Sequence, residues 1–298
     1  MPNISRKEFI QSATVALVAG SSNLLAIPAE KITVGAHLWV YASKYPPNWD
    51  CTPIIEQVFS DLKYASIDVL EVMHSNLFHD NAVDQIGSLS DKYKLPIIGS
   101  SYSGDMWNKE KHQQIENECG ILFEKLNLLK AKTFGITVGD ANHKKTPAEL
   151  DNQAEVLKKI RAMGEKKGIT SNLHNHTYEV VDEMYDLKGT LQRIPDFPLG
   201  PDLNWLIRGG IDPVKFIQLY KNQIVYLHIR DQYKNGEWSE ALGEGDTDFN
   251  TISQALHNNN FSGIATIELA FPRDFTPTRP IKDSWKISRN YVRENFGW

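Results

Sequence analysis

Cysteine is scarce in this chain, with two among 298 residues. Cys51 and Cys119 stand in neither a CxxC nor a Cys/His spacing, which excludes a disulfide framework and leaves both thiols as packing residues. An excess of positive charge is also missing. The 32 basic residues face 37 acidic ones, a formal net charge of −5. Affinity built on phosphate neutralisation is therefore not expected, and neither is a nucleic-acid partner. No apolar run reaches the roughly 18 residues of a membrane span. No Gly-rich phosphate fingerprint follows the first strand-like segment, which favours a closed sheet over an open doubly wound one. What is present is a composition of 41% hydrophobic and 23% charged residues, enough apolar material for a large core and unlike a disordered chain. At about 150 residues per domain the length allows two small domains or one large barrel.

Residues 1–30 differ from the rest. Ser5-Arg6-Lys7-Glu8-Phe9-Ile10 precedes a short, weakly apolar stretch from Ser12 to Gly20, then small residues and Pro28-Ala29. A basic start, a short apolar stretch and small residues describe an export signal rather than a membrane anchor. The order resembles a twin-arginine signal with lysine replacing the second arginine. The expectation is a cleaved leader over 1–30, a single domain over 31–298 and a periplasmic or otherwise exported protein, cytoplasmic if the leader is not a signal.

From residue 31 onward, short β-rich runs alternate with longer amphipathic ones, the order of parallel strands joined by helices. Strands are expected at 32–38, 67–72, 95–100, 133–138, 169–176, 199–203, 224–230 and 263–269. Helices are expected near 53–65, 81–93, 109–130, 146–167, 179–190, 212–221, 248–259 and 281–294. Thr146 before Pro147 reads as a helix cap with proline at the first helical position, and Gly168 as the stop. Strand ends recur about every 33 residues, a suitable length for a βα unit. Eight such units without a linker predict an α/β fold, a single (β/α)8 TIM barrel.

In such a barrel the carboxyl ends of the strands form the active-site face, and those ends are unusually polar here. Glu71 ends the second strand and His74 follows it, His174 and His176 end the fifth, Asp202 and Asn204 the sixth, His228 and Arg230 the seventh, and Glu268 the eighth. Strand alternation would place i and i+2 on one face. Imidazoles and carboxylates from four successive strand ends suit a divalent ion. The expected metal site is His174, Asp202, His228 and Glu268. Mn²⁺ stands first, with Co²⁺, Zn²⁺ or Mg²⁺ as alternatives.

The carboxy-terminal half resembles the sugar phosphate isomerase/epimerase family, the xylose isomerase-like TIM barrels. The segments that carry the resemblance are LHNHTYE (173–179), DLNWLIRGGIDP (202–213), VYLHIRD (225–231), LGEGDTDF (242–249) and GIATIE (263–268). It implies one divalent metal at the ends of strands five to eight, on the four residues just named. Ketose 3-epimerases of this family carry glutamate at the strand-five ligand position. Here that position holds His174, as in a His-Asn-His branch with inosose dehydratase-like and 3-keto-glycoside-processing members.

A metal held at a carbonyl and its neighbouring hydroxyl would act as a Lewis acid and stabilise the enediolate left by proton removal. Glu71, expected across the mouth, His176 and Glu268 are the candidate proton-handling groups, and Arg230 the partner for developing negative charge. His37, Trp39, His74, Trp107 and Trp205 are expected to line the pocket, where aromatic faces suit sugar rings. The leading expectation is a metal-dependent isomerase or epimerase of a keto-sugar or keto-glycoside. The alternatives are a lyase or dehydratase of the same family and, more distantly, a non-catalytic sugar-binding protein. The partner is a small carbohydrate, and the oligomeric state, a homo-oligomer included, is left open.

Overall fold

The computed structural model describes residues 32–272 and 274–298; the expected leader over 1–30 lies outside the described residues. Seven parallel strands form one sheet: β1 (Thr33–His37), β2 (Val69–Met73), β3 (Ile97–Ser103), β4 (Thr133–Thr137), β5 (Thr170–Leu173), β6 (Tyr226–Ile229) and β7 (Ile264–Glu268). Their order is β5-β4-β3-β2-β1-β7-β6. Leu199 bridges in parallel to Leu173 at one edge and to Ile224 beside the other, so the sheet nearly closes into a TIM barrel. The sixth strand expected, at 199–203, is thus reduced to isolated bridges. Pro198 and Pro201 offer no N–H to a ladder. The N–H groups of Leu199 and Gly200 still donate to the Gln223 and Leu173 carbonyls, both at 2.8 Å.

Strands buried on both faces read as continuous apolar runs, and Val69–Met73 is buried throughout. Helices pack outside them. Thr146 accepts from the Glu149 N–H while the Glu149 side chain accepts from the Thr146 N–H, a reciprocal cap that starts Pro147–Glu165. Asp212 and Asp248 cap the helices Pro213–Tyr220 and Phe249–Asn258. Phe59, Phe123, Phe216 and Trp285 are fully buried in the apolar core, each contributing on the order of 2 kcal/mol.

Two expectations near the rim are corrected. The fifth strand stops at Leu173, and a helix opens at Thr177 with His176 as its N-cap. A helix also opens at Leu203, with Asp202 as its N-cap. His174 and His176 therefore lie past the strand, Asp202 is a cap and Asn204 lies within the helix, and neither pair shares one pleat. The helix Thr177–Arg193 is not continuous either. Asp182, Glu183 and Met184 take left-handed backbone at φ of 50°, 57° and 65°, a cost of about 1–2 kcal/mol for each.

Candidate active site

Register sets the level of the site. His37 of β1 stands opposite Glu71 of β2 and Glu268 of β7, which sets three polar side chains side by side across neighbouring strands. His174, the first residue past β5, remains tied to the barrel by its N–H, which donates to the Ile136 carbonyl at 2.9 Å. Asp202 is held twice. Its Oδ1 accepts from the Asn204 and Trp205 N–H groups at 2.9 and 3.0 Å, which leaves Oδ2 uncommitted to the cap. Its main chain is clasped by Asn175, whose Oδ1 accepts from the Asp202 N–H at 3.2 Å and whose Nδ2 donates to the Asp202 carbonyl at 3.3 Å.

Ligand atoms of His174, Asp202 and His228 lie within 4.8 Å of one another, and all three residues are buried. His174 Nδ1 has no partner, and Asp202 Oδ2 and His228 Nδ1 are met only by the charged side chains of Arg230 and Glu268. Leaving a buried polar atom such as His174 Nδ1 unpartnered costs about 1–3 kcal/mol, and three buried residues of metal-ligating type side by side fit a divalent cation. Glu268 Oε2 stands 2.8 Å from His228 Nδ1, off the N–H line, which places the fourth expected ligand against the same atoms. The Arg230 guanidinium reaches between the two carboxylates, with one nitrogen 2.8 Å from Asp202 Oδ2 and 2.5 Å from Glu268 Oε1. It also lies over the rings of Trp205 and Trp238, at 5.3 and 4.9 Å.

Glu71 does not stand across the mouth. It is 1% exposed and lies beneath the site, where Oε2 accepts from His228 Nε2 and from the Tyr226 hydroxyl, both at 2.7 Å. A carboxylate on the far nitrogen of an imidazole fixes its tautomer and turns the other nitrogen outward. Glu71 therefore stands behind His228 and outside the lining of the cavity.

Electrostatics follow from burial and these pairings. Burial opposes charge on His228, but the carboxylates of Glu71 and Glu268 outweigh it and push the imidazole up to about 10. Burial raises Asp202 against the pull of Arg230. Glu268 is held well below the usual carboxylate range, because Arg230, His37 and His228 overcome its desolvation. His176 goes down to about 4, through desolvation and then the nearby Arg230 charge. Glu179 is pushed up to about 8 by burial while its oxygens accept from the Val138 and His176 N–H groups.

Above the buried cluster lies a cavity of about 450 Å³. His37, Trp39, His74, His176, Trp205 and Arg230 line it. Trp107 does not. Its ring meets His143 edge-on at 5.8 Å and its carbonyl accepts from Asn152. The loop after β3 carries it away from the mouth. Trp49, Tyr102, Trp238 and Phe271 complete the aromatic wall and were not singled out from sequence. Trp238 sits on an excursion after β6, where Gln232 pairs with it in an antiparallel bridge. A signal existed in the adjacent glycines: Asp231 Oδ2 accepts from Gly243 and Gly245 N–H groups, both at 2.9 Å, folding that loop back.

The model of the xylose isomerase-like TIM barrel matches residues 59–294. Among curated proteins, an inosose dehydratase of Clostridium perfringens is 25% identical over 169 residues, 49% of this chain and 54% of that protein. The chain spans about half the length of the curated relatives it matches. Among solved structures, a sugar phosphate isomerase/epimerase from Parabacteroides distasonis superposes with a TM-score of 0.70 at 16% identity, covering 91% of this chain and 97% of that one. The 3-keto-D-glucoside 4-epimerase of E. coli gives 0.70 at 13% identity over 89% and 100%. The D-allulose 3-epimerase of Methylomonas sp. in complex with D-allulose gives 0.69 at 14% over 89% and 97%. These structural likenesses show the fold.

Proposed function

The chain belongs to the xylose isomerase-like TIM barrel family, and from that premise we propose that it is a divalent-metal-dependent isomerase or epimerase of a keto-sugar or keto-glycoside. The observation that carries this reading is the meeting of buried ligand atoms from His174, Asp202 and His228 within 4.8 Å of one another, His174 Nδ1 without any partner, beneath a cavity walled by aromatic rings. His174, Asp202, His228 and Glu268 would hold the ion, which when bound supplies a Lewis acid for a carbonyl and its neighbouring hydroxyl.

The chain's own groups do the rest. His176 Nε2 has no partner among the described residues, and burial keeps the ring neutral, so it can take the proton on the carbon beside the carbonyl. Arg230 offsets the negative charge that then develops on oxygen. Glu71 keeps His228 turned toward the site. Trp39 and Trp205 offer flat apolar faces to the C–H faces of a sugar ring and exclude water around it. Return of a proton to carbon gives an isomer or epimer.

A second reading is a dehydratase or lyase, in which the same carbanion expels a β substituent. The sequence match to inosose dehydratases, and a histidine rather than glutamate at the strand-five ligand position, favour it. Proton NMR in deuterated water on free ketoses and 3-keto-glycosides, with Mn²⁺ added and then chelated, tests both. Metal-dependent deuterium uptake beside the carbonyl supports the enolising site, and loss of water or an aglycone selects the lyase. No exchange on any substrate with Mn²⁺ bound would leave a sugar-binding protein.

A further inference from the structure

Five histidines line the cavity, and they differ in which ring nitrogens are free. His174 and His228 face the metal position. His37 is engaged at both nitrogens, Nε2 with Ser101 Oγ at 3.0 Å and Nδ1 with the Trp39 N–H at 3.4 Å. His176 has one open nitrogen and has been given a role above. His74 is the remaining one.

His74 opens the one-turn helix His74–Leu77 directly after β2, three strands from β5 in the sheet and away from the strands that bear the metal ligands. Its Nδ1 lies 3.1 Å from the Ser101 carbonyl oxygen. A carbonyl can only accept, so Nδ1 carries the hydrogen and the lone pair is fixed on Nε2. Nε2 has no partner among the described residues. The ring is clamped edge-on by Tyr102 at 5.5 Å and Phe78 at 6.0 Å, and the Tyr102 hydroxyl is itself anchored on Glu118 at 2.5 Å. Burial lowers the His74 imidazole below its ordinary value, which keeps the lone pair available at neutral pH. A single tautomer, a locked ring and an open lone pair in an aromatic cavity are the requirements of a proton acceptor.

We propose that His74 is a second proton-transferring group of this site, acting through Nε2 from the side of the cavity opposite His176. The proposal rests on the enolising function above. In the step assigned to it, the C–H bond beside the carbonyl breaks and an Nε2–H bond forms. The bonding pair moves toward the carbonyl, whose oxygen takes the negative charge, and the imidazolium is supported by the Ser101 carbonyl at Nδ1. The pair then returns to carbon. Return from His74, once its Nε2–H has exchanged with solvent, replaces the hydrogen without changing configuration. Taking a proton from the His176 side, where that imidazole draws its proton from water, inverts the centre, and His74 releases its proton to water.

The test uses the full chain loaded with Mn²⁺ and the ketose and 3-keto-glycoside panel. In His74→Asn the amide nitrogen can still donate to the Ser101 carbonyl while the Nε2 lone pair is gone. Deuterium incorporation at the C–H facing His74 is expected to fall about 100-fold or more, with Mn²⁺ affinity unchanged and a melting temperature within about 2 °C of wild type. In His74→Ala, added imidazole is expected to restore part of the rate, which a merely structural role would not allow. Wild-type exchange matched by His74→Asn to within about threefold, or no recovery by imidazole, overturns the inference while leaving the enolising function intact. Absence of wild-type exchange on the whole panel overturns the functional reading and this inference together.

Discussion

At the scale of single residues, Glu71 shows how little a strand-end position says about direction. Its place on the second strand is readable in the chain, but β2 runs on to Met73, and whether the carboxylate faces substrate or the barrel axis depends on the pleat and on the side chains it meets. It meets His228 Nε2 and Tyr226. Glu71→Gln is therefore expected to weaken metal binding about 10- to 100-fold, read by titration with Co²⁺ or Mn²⁺, because the imidazole loses its anionic partner. Unchanged affinity with slowed turnover would return Glu71 to a role in proton transfer. Arg230 shows the converse. It was legible as a polar strand-end residue, yet its lodging between Asp202 and Glu268 arises only when three separate strand ends meet. Trp107 failed because a tryptophan past a strand end can follow its loop outward as easily as inward.

At the scale of elements, helices with strong local signals matched their expected places. Thr146, Pro147 and Glu149 fix one helix start through contacts within four residues, which is why sequence alone could read it. The sixth strand failed for an equally local reason, its prolines. The interruption at Asp182–Met184 had no signal, since none of these residues is glycine. The geometry of the loop after β6 depends on one carboxylate. Asp231 accepts from Gln232 and Thr247 at Oδ1, and from Gly243 and Gly245 at Oδ2. A Cβ at Gly245 would stand 2.4 Å from Asp231 Oδ1, so the close approach requires glycine there. Asp231→Ala frees four N–H groups and is expected to cost about 2–4 kcal/mol in urea unfolding. It should also raise KM through the loosened Trp238 wall; a KM equal to wild type would remove Trp238 from substrate binding.

At the scale of the whole molecule, the site joins elements from both ends of the described chain, so ligation should stabilise the barrel as a unit. Adding Mn²⁺ at about 100 times its dissociation constant is expected to raise unfolding free energy by about 2.7 kcal/mol, and chelation should reverse it. Asp202→Ala should abolish that shift, and an equal shift in this variant would place the ion elsewhere.

The sequence alone determined the alternation of strands and helices, hence the barrel, because each element is specified by apolar period and by caps that act over a few residues. It also determined which polar types gather at the strand ends. The sequence left to the tertiary structure which of those side chains face the cavity, which stand behind a ligand and which walls close it. Those outcomes are set by parallel register, by the closing of β5 on β6 through Leu199, and by contacts such as Glu71 to His228, 157 residues apart. Pairings at that separation leave no periodic trace in the chain, and they exist only once the barrel has closed.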